Sequence, residues 1–158
     1  MSSSSDDIII CKQRIMSALV NDDDVVGLID DSLIGNGDEL LYNNIYPYQR
    51  VPDTEDEMKT YICFKVNTRP TYAKNKAFKD IIVTLYIITH QNLMRCDRNG
   101  TRIDFLGSLV LDIFNGKDGF GIGEVEVVSD TEGNSDFLHR YREIVFKTKG
   151  LSKDVCGE

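Results

Sequence analysis

The chain has 158 residues, of which 26 are acidic and 18 are basic, and its formal net charge is −8 at pH 7. One domain is the expected organisation at this length, and the acidic balance argues against tight binding of nucleic acid, because that affinity comes mostly from Lys and Arg on phosphates. No apolar run approaches the roughly 18–20 residues that cross a bilayer, and the N-terminus is acidic where a secretory signal is basic, so we expect a globular protein of the cytoplasm without membrane contact.

Two consecutive helices are predicted for the N-terminal stretch. Apolar residues recur at helical spacing from about Asp7 to Val20, which indicates an amphipathic helix. The run Asp22–Asp24 interrupts this stripe and can cap a second, shorter helix that carries Val25 and Leu28. Adjacent carboxylates can also bind a hard cation, but the alternating ligands and central Gly of a calcium loop are absent. We therefore expect no metal at this position.

The middle of the chain predicts strands of one sheet. The segment around Tyr46 and Tyr48 is short, and the prolines near it confine it to a sheet edge. The second strand, Thr60–Thr68, alternates apolar and polar residues. The third, Asp80–His90, is the longest and contains neither Gly nor Pro. Because both of its faces are largely apolar, we expect it at the centre of the sheet with both faces covered.

Two charged segments lie beside these strands, and the first is an acidic loop that we expect to be solvated. Its acids are Asp53, Glu55, Asp56 and Glu57. The second joins the two long strands, contains no acid and exceeds the about 2–5 residues of a tight hairpin, so we expect it to project. Its basic and aromatic polar residues are Arg69, Tyr72, Lys74, Lys76 and Lys79. A docking arm for an acidic partner, a DNA-facing tip and a loop without a role all remain open.

The C-terminal half predicts one helix and two strands. Apolar residues at helical spacing indicate an amphipathic helix over Thr101–Phe114. The glycine-rich stretch Gly119–Gly123 follows a helix and enters a strand, which is the reverse of the order in a phosphate-binding loop. We therefore interpret it as a connection to a strand that begins near Glu124 and has one wet face. The last strand, His139–Thr148, is expected to pair with it.

Catalytic and metal-binding patterns are missing from the sequence. The four cysteines are widely spaced without a Cys-x-x-Cys pair, and neither His90 nor His139 has a nucleophile or metal-ligand partner at a recognisable spacing. We predict no catalytic residue, metal or cofactor, and an enzyme is the class that we expect least. A small acidic protein-binding module remains an alternative, although its carboxylates are scattered rather than arrayed on one face.

These elements together predict an α+β fold. A single domain over residues 1–150 would place a mostly antiparallel sheet against the N-terminal helix pair and one amphipathic helix. Residues 151–158 would form a polar C-terminal tail.

The order of these elements resembles that of the tail-completion proteins of tailed bacteriophages, which include tail terminators and related head–tail joining proteins of the neck. The features that carry the resemblance span nearly the whole chain. They are the N-terminal helix pair, the Ile45-Tyr46-Pro47-Tyr48 segment, two long strands around a projecting loop, one amphipathic helix, and a closing strand pair that ends in Tyr141-x-x-Ile144-Val145-Phe146.

The resemblance implies a structural protein of the virion neck that is assembled in the host cytoplasm. It implies a homo-oligomeric ring of about six copies that caps the tail tube and joins it to the head–tail connector or stopper protein. DNA would pass through the lumen without being bound specifically. The contacts would involve the basic segment Arg69–Lys79 and the Thr101–Phe114 helix with Arg102, while the acids of the loop would face a lumen or a docking partner. Another connector or adaptor position in the neck is the alternative.

Overall fold

The computed structural model describes residues 4–70 and 78–151. Its helices are α1 (Ser4–Val20), α2 (Asp23–Asp30) and α3 (Arg102–Phe114), and its strands are β1 (Ile45–Tyr46), β2 (Thr60–Pro70), β3 (Phe78–His90), β4 (Ile122–Asn134) and β5 (His139–Leu151). Short 3-10 turns follow α2 and β3. The predicted α+β class is confirmed. None of the described helices has the length and apolar content that a membrane span requires.

Side-chain caps fix where the helices begin. The carboxylate of Asp22 accepts hydrogen bonds from the backbone N–H groups of Asp24 and Val25 at 3.0 and 3.1 Å, as the aspartate run predicts. The hydroxyl of Thr101 accepts the backbone N–H of Asp104 at 3.2 Å and starts α3 in the same way. These caps satisfy N–H groups that have no partner inside the helix.

The strands form one sheet in the order β1-β2-β3-β5-β4, so the long strand β3 is central, as predicted. Strand β3 is antiparallel to β2 on one side and to β5 on the other, with unbroken pairing along both. Strand β1 pairs in parallel with β2 over only two residues, and β4 forms the opposite edge with register shifts near Val127. Both edges are thereby short or irregular, which hinders accidental pairing with other chains.

The three helices cover one face of the sheet, which we name the covered face. Its residues Phe64, Leu85, Ile144 and Phe146 join helix residues in the main buried cluster. Tyr46, Tyr61, Cys63 and Ile88 make a separate small cluster on the opposite face, and no helix residue joins it. We name this opposite face the open face.

The expectation that both faces of β3 are covered is met only in part: no helix packs on the open face, yet Thr84, Ile88 and His90 are buried there, with 9, 3 and 4% exposure. Its Ile82 and Tyr86 are only half-buried, and in the pairing register Lys147 and Glu143 lie beside them on β5. Long side chains of neighbouring strands shelter these residues, so an apolar strand pattern does not require a second layer of helices.

Candidate interaction surfaces

The basic segment between β2 and β3 is shorter than the sequence predicts. Arg69 and Lys79 lie in the strands themselves. Arg69 has a 61% exposed side chain whose Nε lies 3.4 Å from an Asp80 carboxylate oxygen. The connection proper consists of residues 71–77, so the predicted contact residues Tyr72, Lys74 and Lys76 lie outside the described part of the chain.

Lys79 is buried instead of projecting. Its Nζ lies 2.7 Å from the Oδ2 atom of Asp7 in α1. Both side chains are largely removed from water, where a charge is costly unless an opposite charge is near. The pair therefore holds the start of α1 against the start of β3. Lys79 is engaged inside the chain and does not form part of the basic surface.

The acidic loop divides into three exposed acids and one internal partner. Asp53, Glu55 and Asp56 are exposed, as expected. Glu57 is largely buried and accepts two hydrogen bonds from the guanidinium of Arg50, at 2.5 and 3.2 Å. The interpretation of Glu57 as a solvated acid is therefore wrong. Sequence reasoning missed Arg50, and the signal that it offered was a single basic residue beside a run of acids.

Arg50 is the centre of a compact cluster. Its guanidinium also lies 3.3 Å from Asp53 and stacks over the rings of Tyr46 and Tyr61 at 4.9 and 4.7 Å. Hydrogen bonding to Glu57 raises the pKa of Arg50. Burial raises the pKa of Glu57, but the hydrogen bonds and charge of Arg50 outweigh it and hold that pKa below its ordinary value. Both groups therefore stay charged and bind the loop to the open face.

A buried histidine ties the same loop to the turn between β4 and β5. The Nδ1 atom of His139 lies 2.9 and 3.0 Å from the Asp136 carboxylate oxygens, and Nε2 lies 2.7 Å from the backbone oxygen of Glu57. The ring of His90 packs edge-on against it at 5.2 Å. The two histidines thus hold structure at this end of the sheet, and their spacing in sequence gave no hint of this contact.

Arg102 also serves an internal contact. Its Nη1 donates to the backbone oxygen of Leu28, Nε donates to that of Leu93 at 2.7 Å, and Nη2 donates to that of Arg95 at 3.3 Å. The guanidinium therefore joins α2, the turn after β3 and the start of α3. The sequence predicted Arg102 as a contact to another subunit, whereas the structure engages its guanidinium in this junction.

An open groove of about 500 Å³ lies between α2 and the stretch that leads into α3. We name it the acidic groove, and its carboxylates are Asp23, Asp24, Asp30, Asp31 and Asp97. Its apolar wall includes Leu28 and Ile34, and its basic residues are Arg98 and Arg102. Within residues 4–70 and 78–151, these carboxylates have no ion pair.

Comparison with known proteins decides the family. The YomW family profile matches residues 12–148. The chain belongs to the YomW family. This family is phage-derived. Among solved structures, a chain of the virion of a native gene transfer agent particle is similar, with a TM-score of 0.59, 16% sequence identity, and coverage of 89% of this chain and 94% of that chain. At this identity the likeness shows a shared fold.

A search of curated proteins finds none that matches this chain. The family match spans the Arg50 cluster and the acidic groove. In the part of the chain that the structure describes, no three His, Cys, Asp or Glu residues are close enough together to hold a metal ion. Burial raises the pKa of the Cys11 and Cys63 thiols to about 11, so both favour the unreactive protonated form.

Proposed function

We propose that this YomW family member is a structural protein of a virion, and that within the virion it is the tail terminator of the neck. The observation that carries the proposal is the shared fold with a chain from a gene transfer agent virion, which spans 89% of this chain and 94% of that one. The phage-derived family supports the same class. The order of elements supports the finer assignment to the neck, because it follows the pattern of tail-completion proteins.

The protein acts by binding its neighbours in a defined geometry. About six copies form a ring at the head-proximal end of the tail tube, where they stop further addition of tube protein and present a surface to the head–tail connector. The net charge of −8 repels the DNA that crosses the lumen, so that DNA passes without adhering. No catalytic group, metal or cofactor takes part. The ring is assembled in the host cytoplasm and remains in the virion.

The described contacts narrow the surfaces that can serve this role. Arg69 and the acids Asp53, Glu55 and Asp56 have exposed side chains that can reach another subunit, the tube or the connector. The ammonium group of Lys79, the carboxylate of Glu57 and the guanidinium of Arg102 are engaged in contacts inside the subunit and stabilise it. The remaining candidates of the basic surface are Tyr72, Lys74 and Lys76.

Deletion of the gene from the particle that carries it tests the proposal. Electron microscopy is expected to show tails of irregular length that lack heads, and expression of the chain in trans is expected to restore normal particles. Tails of normal length that fail only to join heads would favour a connector or adaptor position. Particles that never contain the chain, and form normally without it, would refute a virion role and favour a small acidic binding module.

A further inference from the structure

The acidic groove collects five carboxylates around one opening, and none of them forms an ion pair within the described residues. Two other groups of carboxylates are instead arranged around a guanidinium: Arg50 pairs with Glu57 and Asp53, and Arg142 lies 2.6 Å from Asp104 and 2.7 Å from Asp130. In the groove, the guanidinium of Arg102 is directed to three backbone oxygens.

The second arginine of the groove is also directed away from its carboxylates. The guanidinium of Arg98 lies over the ring of Phe105, 5.3 Å from its centroid. The groove therefore presents five carboxylates beside an apolar wall, and neither of its two arginines forms an ion pair with them in the described structure. Such a surface suits a ligand that brings both positive charge and an apolar group.

Residues 71–77 of the chain have this chemistry. Their sequence is Thr-Tyr-Ala-Lys-Asn-Lys-Ala, which contains two positive charges, one aromatic ring and no acid. Tyr72, Lys74 and Lys76 are spaced by two, so an extended bound segment would direct all three side chains to one side. The side that meets the groove would then combine a ring for the apolar wall with two ammonium groups for the carboxylates.

We infer that the acidic groove of one subunit binds residues 71–77 of a second copy of the chain. This inference rests on the proposed ring and deepens it, since it names the two surfaces through which neighbouring subunits join. Charge complementarity assigns this segment to the groove, and the distance between the groove and the strand ends that flank the segment assigns it to another subunit.

The occupant must come from another subunit because the two surfaces lie at opposite ends of the sheet. The groove includes Thr60 at the start of β2, whereas the segment follows Pro70 at its end. These ends are about 30 Å apart at ~3.3 Å per residue. A connection of residues 71–77, anchored at both ends, extends at most about 14 Å whatever its conformation. No chain can therefore fill its own groove.

The direction of α1 supports the same separation. Asp7 in its first turn forms an ion pair with Lys79, which lies close in sequence to the basic segment. Its last residue, Val20, is followed by α2, which forms the groove. A contact between the two ends is heterologous, because two different surfaces meet. Repeating it closes a ring when the rotation between subunits closes, and otherwise it gives a helical filament.

A synthetic peptide of residues 69–79 tests the contact without requiring a ring. Titrated into the full chain, it is expected to shift the backbone amide NMR signals of groove residues such as Gly27, Asp31 and Asp97. A matched peptide with Lys74→Glu and Lys76→Glu is expected to bind at least ~10-fold more weakly. Raising the salt from about 0.05 to 0.5 M is expected to weaken the first peptide markedly, since exposed charges are screened.

Paired protein variants locate the binding site. Asp31→Lys with Asp97→Lys reverses two groove charges whose side chains are exposed, and it is expected to abolish binding of the basic peptide and to create binding of the Glu peptide. Asp38→Lys with Glu39→Lys makes the same charge change at exposed positions outside the groove, and binding is expected to persist. Should the groove variant not fold, as judged by circular dichroism, Asp31→Asn with Asp97→Asn replaces it and a ~10-fold loss is expected.

Equal binding of both peptides, or binding that survives the groove substitutions, would overturn the inference. Its failure is separable from failure of the neck assignment. If the peptide binds the groove but gene deletion leaves the tails unchanged, the contact between subunits is supported and the terminator role is refuted. If gene deletion gives irregular tails but the peptide does not bind the groove, the terminator role is supported and the contact between subunits lies at another surface.

Discussion

On the covered face of the sheet, Leu85 lies opposite Phe64 on β2 and Ile144 on β5, and all three side chains are fully buried. On the open face, the next residue, Tyr86, lies opposite Glu143 and is half-buried. The same strand therefore contributes one side to the core and another to a surface of mixed charge. Its covered face is constrained by packing, whereas its open face leaves side chains available for a neighbouring subunit.

Truncation of Leu85 is expected to give the largest loss of stability. Leu85→Ala removes apolar contacts at the centre of the core and leaves a cavity, so the free energy of unfolding is expected to fall by about 3 kcal/mol. The matched control is Val145→Ala on the open face, where partial exposure limits the expected loss to below ~1 kcal/mol. Urea unfolding of both variants measures the difference, and equal losses would contradict the assignment of the two faces.

Replacement of Arg50 probes the ionic cluster at the end of the open face. Arg50→Lys keeps the charge but removes the two parallel hydrogen bonds to Glu57 and the stacking on Tyr46 and Tyr61, and a loss of about 2 kcal/mol is expected. Arg69→Lys is the control, because its exposed ion pair with Asp80 contributes little. A loss at position 50 no greater than that at position 69 would show that the cluster does not hold the loop.

These two sites also show what sequence can predict. The position of β3 at the sheet centre followed from its length and β-branched residues, and the start of α2 followed from its aspartates, because strand propensity and capping are local properties. The Arg50 cluster, by contrast, joins residues that form no recognisable pattern in the sequence. Which face of β3 is covered depends on where helices that are distant in the sequence pack. The acidic groove is likewise made by α2 and the approach to α3, which only the tertiary fold brings together.

Acid titration separates the two faces because the carboxylates with shifted pKa values lie at the end of the open face. Glu57, beside Arg50, has a pKa below its ordinary 4.5. For Asp136, burial acts to raise the pKa, but hydrogen bonds from His139 and from the backbone of Leu138, together with the charge of His139, outweigh it and lower that pKa below its ordinary 3.8. A lowered folded-state pKa contributes stability above the unfolded value and loses it as the pH falls through the folded value.

The free energy of unfolding is therefore expected to decline below about pH 4.5. The decline at Glu57 is expected to be smaller than the loss in Arg50→Lys, since a protonated carboxyl still accepts one hydrogen bond. Urea unfolding between about pH 3 and 6 measures it. Glu57→Gln is expected to flatten the dependence, whereas Leu85→Ala is expected to lower the curve by the same amount at every pH. A Glu57→Gln curve as steep as that of the native chain would show that the ion pair of Glu57 with Arg50 does not cause the pH dependence.

The smallest effect is expected at Lys147 on the open face, whose Nζ lies 4.0 Å from the Glu126 carboxylate of β4. The Glu126 side chain is 71% exposed, so water and salt screen the pair, and Lys147→Ala is expected to cost below ~0.5 kcal/mol. Urea unfolding at low and high salt measures this loss. A loss above about 1 kcal/mol would mean that this face behaves as a packed interior even in the isolated subunit. A near-zero loss would leave Lys147 free for contacts between subunits, since a residue that contributes little to folding can be changed for binding without unfolding the chain.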